Sequence, residues 1–222
     1  MPAGSRHSTG PPSRALARVR VALMGGTFDP PHIGHFLAAS DAFDQLHFDR
    51  LVFVPAATQP LKQHLVSSPA IHRLRMVQLM VEGDGRFEVD EIEITRTGLS
   101  FTVDTLEEYS RRFPGAELSF LLGVDAFGAL DQWRDAARVV NLAHLVVLTR
   151  ATEDERPIDL EAVTGQVRAI GGSKAATPQV LNTRRVDVSS TEIRERVHAG
   201  RPIRGYVSDA VGQYIEFNGL YK

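Results

Sequence analysis

The stretch Gly25-Gly26-Thr27-Phe28-Asp29-Pro30-Pro31-His32-Ile33-Gly34-His35 lies between an apolar run and an amphipathic one. Before it, Val19-Arg20-Val21-Ala22-Leu23-Met24 is short, β-branched at alternate positions and closed by two glycines. That pattern predicts a buried strand ending in a tight turn. After it, Phe36, Ala39, Ala42, Phe43 and Leu46 recur at spacings of three and four, so a helix is expected to begin near Gly34. A strand-to-helix corner of this kind attracts anions, because backbone N–H groups in the glycine turn and at the helix N-terminus point the same way. His32 and His35 share one face if the helix has started, and Gly34 between them leaves space for a ligand. Neither G-x-x-x-x-G-K-[ST] nor G-x-G-x-x-G is present, which excludes a P-loop and a dinucleotide fingerprint.

The chain of 222 residues is 43% hydrophobic, enough for one domain with a substantial core and too short to require two. A net charge of −2 with interspersed acids and bases provides no basic field for nucleic acid, and no apolar run reaches membrane-spanning length. With no cysteine, disulfides, a thiol nucleophile and cysteine-ligated zinc are excluded, and a reducing cytoplasm is compatible. Residues 1–19 are rich in Gly, Pro, Ser and Arg and are expected to form a disordered extension before a domain spanning 20–222. Pro2, Pro11 and Pro12 oppose an amphipathic transit helix, so an appended or misassigned start fits this segment better.

Strand and helix patterns alternate through the remainder. Strands are expected at Asp49 to Pro55, in two pieces between Phe87 and Ile94, and at Glu117 to Gly123, His144 to Thr149 and Gln179 to Val188. A helix capped by Ser68, with Pro69 in its first turn, should bury Ile71, Leu74, Val77 and Val81. Another begins near Thr102 with Val103, Leu106 and Tyr109 inward, and one after the charged loop Arg150 to Pro157 should use Leu160, Val163, Val167 and Ile170. Two more open at Ser189 and Ser208. This order predicts an α/β fold: a single-domain, Rossmann-like parallel sheet flanked by helices, with ligands beyond the carboxyl ends of its strands.

The glycine-histidine stretch resembles the signature of the H-x-G-H nucleotidyltransferase superfamily, and its G-G-T-F-D-P opening is similar to that of the nicotinate mononucleotide adenylyltransferases. Val188-Ser189-Ser190-Thr191-Glu192-Ile193-Arg194 resembles that family's I-S-S-T-x-I-R, with Val for Ile. As chemistry it is a hydroxyl-rich helix start whose amides, Ser190, Thr191 and Arg194 can hold a polyphosphate; taken alone it could equally be an ordinary cap with a solvated arginine. Ser100 to Leu106 resembles the family's S-Y-T-x-D-T-L with Phe101 for Tyr, and Gly123-Val124-Asp125 with Trp133 resembles its G-x-D and downstream tryptophan. Lys62 stands where the family has a Pro-Pro-His-Lys-like loop; only a proline and the lysine match.

The resemblance implies an enzyme that transfers AMP from ATP to nicotinate mononucleotide, releasing pyrophosphate. It implies catalytic roles for His32, His35 and Arg194, and ATP contacts from Gly25, Gly26, Thr27, Phe28, Lys62, Gly123, Asp125, Ser190 and Thr191. It also implies mononucleotide contacts from Thr102, Trp133 and Arg134, although Trp133 could serve as a core aromatic and Lys62 as an exposed surface charge. Mg²⁺ would travel with the triphosphate, since no dense carboxylate cage is visible. No nucleic acid or membrane partner is expected, and a homo-oligomer is compatible with the sequence. Nicotinamide mononucleotide or another phosphomonoester such as phosphopantetheine as acceptor, and a non-catalytic nucleotide sensor, are the alternatives; both motifs a sensor should have lost are intact.

Overall fold

A computed structural model describes residues 18–62, 67–96, 98–149 and 159–222. The glycine-closed run forms β1 (Arg20–Gly26), followed by α1 (Ile33–Leu46) and β2 (Arg50–Pro55). Next come α2 (Ala70–Val81), β3 (Phe87–Val89), α3 (Ile92–Thr95), α4 (Thr102–Arg112) and β4 (Glu117–Gly123). The chain continues through α5 (Val124–Gly128), α6 (Ala136–Leu142), β5 (His144–Thr149), α7 (Leu160–Gly171) and β6 (Gln179–Asn182). It closes with α8 (Ser190–His198) and α9 (Asp209–Phe217).

All six strands pair in parallel in the order β3-β2-β1-β4-β5-β6. The order reverses direction between β1 and β4, the position where a doubly wound sheet opens a crevice at its carboxyl edge. Strand alternation sends each side chain to one of two cores. Ala22, Met24, Leu51, Phe53, Leu121 and Val146 meet α1, α2, α8 and α9 on one face. Val21, Leu23, Val52, Phe120, Leu145 and Val147 meet α4, α6 and α7 on the other. Among the described residues, no helix is long and apolar enough to cross a membrane.

Local hydrogen bonding revises several expectations. Ile92–Thr95 is helical, not a strand piece, because the Asp90 carboxylate accepts the Ile92 N–H at 2.9 Å and turns the chain. The strand expected over Gln179 to Val188 stops at Asn182. Thr183 still donates its N–H to the Thr149 carbonyl, but Arg184 is then drawn out of the sheet by Asp41 on α1, 2.6 Å from guanidinium to carboxylate. In α2 the N-cap is Pro69, not Ser68, whose N–H donates to the Asp29 carboxylate instead. Ile71 faces outward at 62% exposure and Arg73 takes the buried phase; Leu160, at 50%, is also outside. Val19, placed in the extension, already accepts the Glu117 N–H at 2.8 Å. The Arg150 to Pro157 loop lies outside the described residues.

Close packing of α7 on α6 depends on Gly171. A Cβ there would stand 2.3 Å from Cγ2 of Val140, which is fully buried. Gly171→Ala is expected to lower unfolding stability by about 1–3 kcal/mol, read from the urea midpoint at unchanged m-value. An unchanged midpoint would mean that the two helices are loosely apposed.

Candidate active site

The glycine turn builds its site from the end of β1. Phe28 adopts φ 51° and is buried, with its ring edge-on to His35 at 5.1 Å and to Phe53 at 5.8 Å. Gly26 permits this fold-back, since a Cβ on it would lie 2.8 Å from the Phe28 ring. The Asp29-Pro30 peptide is cis. His32 is the extended N-cap residue of α1, and its N–H donates to His35 Nδ1 at 3.2 Å. Because Nδ1 of His35 is the acceptor, Nε2 carries the proton of the neutral ring, which makes it a donor. The two imidazoles lie 3.8 Å apart between centroids and inclined by 32°, with His32 buried.

The second motif docks onto this corner. Arg194 Nη1 donates to the Asp29 carbonyl at 2.7 Å, its Nη2 donates to Thr191 Oγ1 at 3.2 Å, and Ser190 Oγ donates to the Pro30 carbonyl at 2.8 Å. Ser189 caps α8 by accepting the Glu192 N–H, and the Ile33 N–H donates to the Tyr206 carbonyl. The α8 N-terminus and the histidine corner therefore form one surface, although about 160 residues separate them. Gly123, at the end of β4, leaves the same sheet edge beside β1, and exposed Asp125 follows in the first turn of α5.

The remaining expected residues sit around that edge. Thr102 is the first residue of α4, whose N-cap Phe101 makes no side-chain capping bond. Arg134 lies 4.5 Å over the Phe101 ring and pairs with Asp104 at 3.4 Å. Trp133 is half-buried and edge-on to Phe120 at 5.9 Å, so it shares the β4 face of the core. Lys62 closes a short 3₁₀ turn, Pro60–Lys62, and Thr27 Oγ1 donates to Gln59 Oε1 just before it at 2.9 Å.

Two supporting groups escape the sequence reading. Arg73, 1% exposed, donates Nε–H to the Ser68 carbonyl, Nη1–H to Thr27 and Ala56, and Nη2–H to Ala57, at 2.6–2.9 Å. Burial pulls its pKa below the usual arginine value, and Asp29 and Tyr221 pull it back. The clue was present: a cation standing within the apolar phase of α2. Tyr221 donates its hydroxyl to Asp29 Oδ1 at 2.6 Å, and burial, then Asp29, holds that phenol protonated above its ordinary range. The chain terminus thus pins the loop that precedes His32.

A doubly wound parallel sheet with an anion-receptive strand-to-helix corner at its switch point defines a nucleotide-binding α/β protein. Comparison with known proteins narrows this. A family model described as cytidylyltransferase-like matches residues 23–196. A protein of Gemmatimonas aurantiaca named "Probable nicotinate-nucleotide adenylyltransferase" is 49% identical over 207 residues, 92% of this chain and 93% of its own. A Thermus thermophilus protein with the same name is 40% identical over 204 residues, 92% of this chain and all of its own. The Plasmodium falciparum nicotinic acid mononucleotide adenylyltransferase solved with NaAD shares the fold at TM-score 0.73 and 17% identity, covering 91% of this chain and 97% of its own. The chain belongs to the cytidylyltransferase-like family and, within it, to the nicotinate-nucleotide adenylyltransferases.

Arg73→Leu would leave four backbone carbonyls without their donor. It is expected to lower unfolding stability by at least about 3 kcal/mol, measured by urea titration. A loss under about 0.5 kcal/mol would show that solvent replaces the guanidinium.

Proposed function

We propose that this protein transfers the adenylyl group of ATP to the 5′-phosphate of nicotinate mononucleotide, giving nicotinate adenine dinucleotide and pyrophosphate, a step of NAD biosynthesis. The observation that carries the reading is the seating of Arg194 and Ser190 on the Asp29 and Pro30 carbonyls, beside the paired imidazoles. It supplies cationic and neutral donors on one surface, as a triphosphate requires.

The attacking phosphate oxygen is already ionised and needs no general base. It forms a bond to the α-phosphorus while the bond from that phosphorus to the bridging oxygen of pyrophosphate breaks, and the leaving group keeps the electron pair. Alignment and charge neutralisation then carry the rate. His35 Nε2 and His32 stabilise the charge on the α-phosphate, and Arg194, Ser190, Thr191 and the amides at the start of α8 hold the β- and γ-phosphates. Gly25, Gly26, Thr27 and Phe28 shape the floor, Lys62 is assigned a phosphate contact, and Gly123 and Asp125 take the adenosine ribose. Thr102 and backbone groups near Trp133 and Arg134 recognise the nicotinate carboxylate, with Trp133 stacking on the pyridine ring.

The donor set fits a metal ion carried in on the nucleotide. Among the described residues no three His, Asp or Glu side chains converge on a cation site, and Asp29 is committed to Tyr221 and Ser68. Mg²⁺, bound to ATP as part of the substrate, would supply further charge neutralisation.

Pyrophosphate release with nicotinate mononucleotide and with its amide, measured side by side, tests the substrate. A higher kcat/KM with the acid is expected, and equal or higher efficiency with the amide would overturn the assignment. His35→Ala should lower turnover roughly 100-fold or more while changing ATP affinity only a few-fold; normal turnover would remove the histidine from the mechanism. Gly34→Ala places a Cβ 3.0 Å from His32 Nδ1. Its expected signature is a loss of kcat of about tenfold or more at near-native melting temperature.

A further inference from the structure

Beneath the Thr102 helix start lies a buried carboxylate that the transfer reaction does not use. Glu93, on α3, is 8% exposed, and it accepts a hydrogen bond from Thr105 Oγ1 at 2.7 Å. Thr105 is itself 1% exposed and also accepts from Arg96 Nη2 at 3.3 Å. Ser100 Oγ in turn accepts the Ala57 N–H at 2.8 Å, and the Ser100 N–H donates to the Thr58 carbonyl at 2.9 Å. Burial favours the neutral acid at Glu93, opposed by Thr105, Ser100 and Arg96 and reinforced by Asp104.

This geometry has a consequence for α4. Its N-cap residue Phe101 offers no capping side chain, so the first turn is held by the residues on either side of it. Thr105, one turn inside, bonds that carboxylate, and Ser100, just before the cap, is held by Ala57 and Thr58. Thr102, and Asp104 with its partner Arg134, ride on the segment between those two anchors. The same Ser100 hydroxyl reaches Ala57, whose carbonyl accepts from Arg73 Nη2, and Arg73 Nη1 holds Thr27 in the glycine turn.

We propose that Glu93 is a positioning residue for the mononucleotide half of the site: through Thr105 it fixes where α4 begins, and so where Thr102 and Arg134 meet the acceptor substrate. The inference rests on the adenylyl-transfer reading above. Glu93 touches no substrate, and removing it should loosen the acceptor site while leaving the triphosphate surface of α1 and α8 in place.

The test is steady-state kinetics on the full chain, with ATP and nicotinate mononucleotide varied separately for wild type, Glu93→Ala, Glu93→Gln and Thr105→Val. Wild-type turnover is the control, since its absence would sink the adenylyl-transfer assignment and not the placement of Glu93. Glu93→Ala is expected to raise the mononucleotide KM about tenfold while the ATP KM shifts less than about threefold. Glu93→Gln, whose amide oxygen still accepts from Thr105, should recover most of that loss. Thr105→Val, nearly isosteric, removes one anchor and should reproduce the direction at smaller size, which keeps the test available if Glu93→Ala fails to fold. Equal rises in both KM values, an unchanged mononucleotide KM, or no recovery in Glu93→Gln would each overturn the proposal.

Discussion

A parallel strand that ends at two glycines leaves carbonyl groups beyond the last ladder bond, and the buried guanidinium of Arg73 is what satisfies them. Its three nitrogens reach Thr27 after β1, Ala56 and Ala57 after β2, and Ser68 before its own helix. Unmet, those acceptors would be costly in a dry interior, and the loops that bear them would not hold one arrangement. The turns that follow β1 and β2 thus stand on backbone that this one side chain fixes. Arg73 has no substitute in apolar packing, since only a planar fork of N–H donors reaches several carbonyls at once.

Around that anchor the site is assembled from parts remote in the chain. Asp29 receives Tyr221 from the C-terminal end and Ser68 from the start of α2 through its carboxylate, and Arg194 through its carbonyl. The histidine corner is thereby clamped from three directions before any ligand arrives. Such pre-organisation is what a displacement without a general base needs, because little remains for the protein to do except hold charges in line. At the start of α4 a buried carboxylate accepts the Thr105 hydroxyl, while Ala57 donates its N–H to Ser100 and offers its carbonyl to Arg73.

Much of the architecture was legible because burial on two faces forces apolar alternation that a sequence displays openly. Val21 and Leu23 point to one core while Ala22 and Met24 point to the other, and β1, β2, β4 and β5 all read correctly for that reason. Short pieces read less well. Ile92 and Ile94 alternate as a strand would, yet a single bond from Ile92 N–H to Asp90 turns them into helix. Ile71 fits an inward helical phase as well as its neighbours do, but the phase of α2 is set by Arg73, and a charged residue earns no weight in a hydrophobic pattern.

The sequence by itself determined the strand-turn-helix corner, the hydroxyl-rich start of α8 and the order of strands and helices, since each rests on residues adjacent in the chain whose backbone preferences and side-chain periods act locally. Tertiary structure alone decided that Arg194 and Ser190 would land on Asp29 and Pro30, that Tyr221 would close on the same aspartate, and that Arg73 and Glu93 would sit inside. Those outcomes depend on which carbonyls and hydroxyls the folded backbone leaves facing one another, 160 to 192 residues apart for Ser190, Arg194 and Tyr221, and no local pattern of side chains records that.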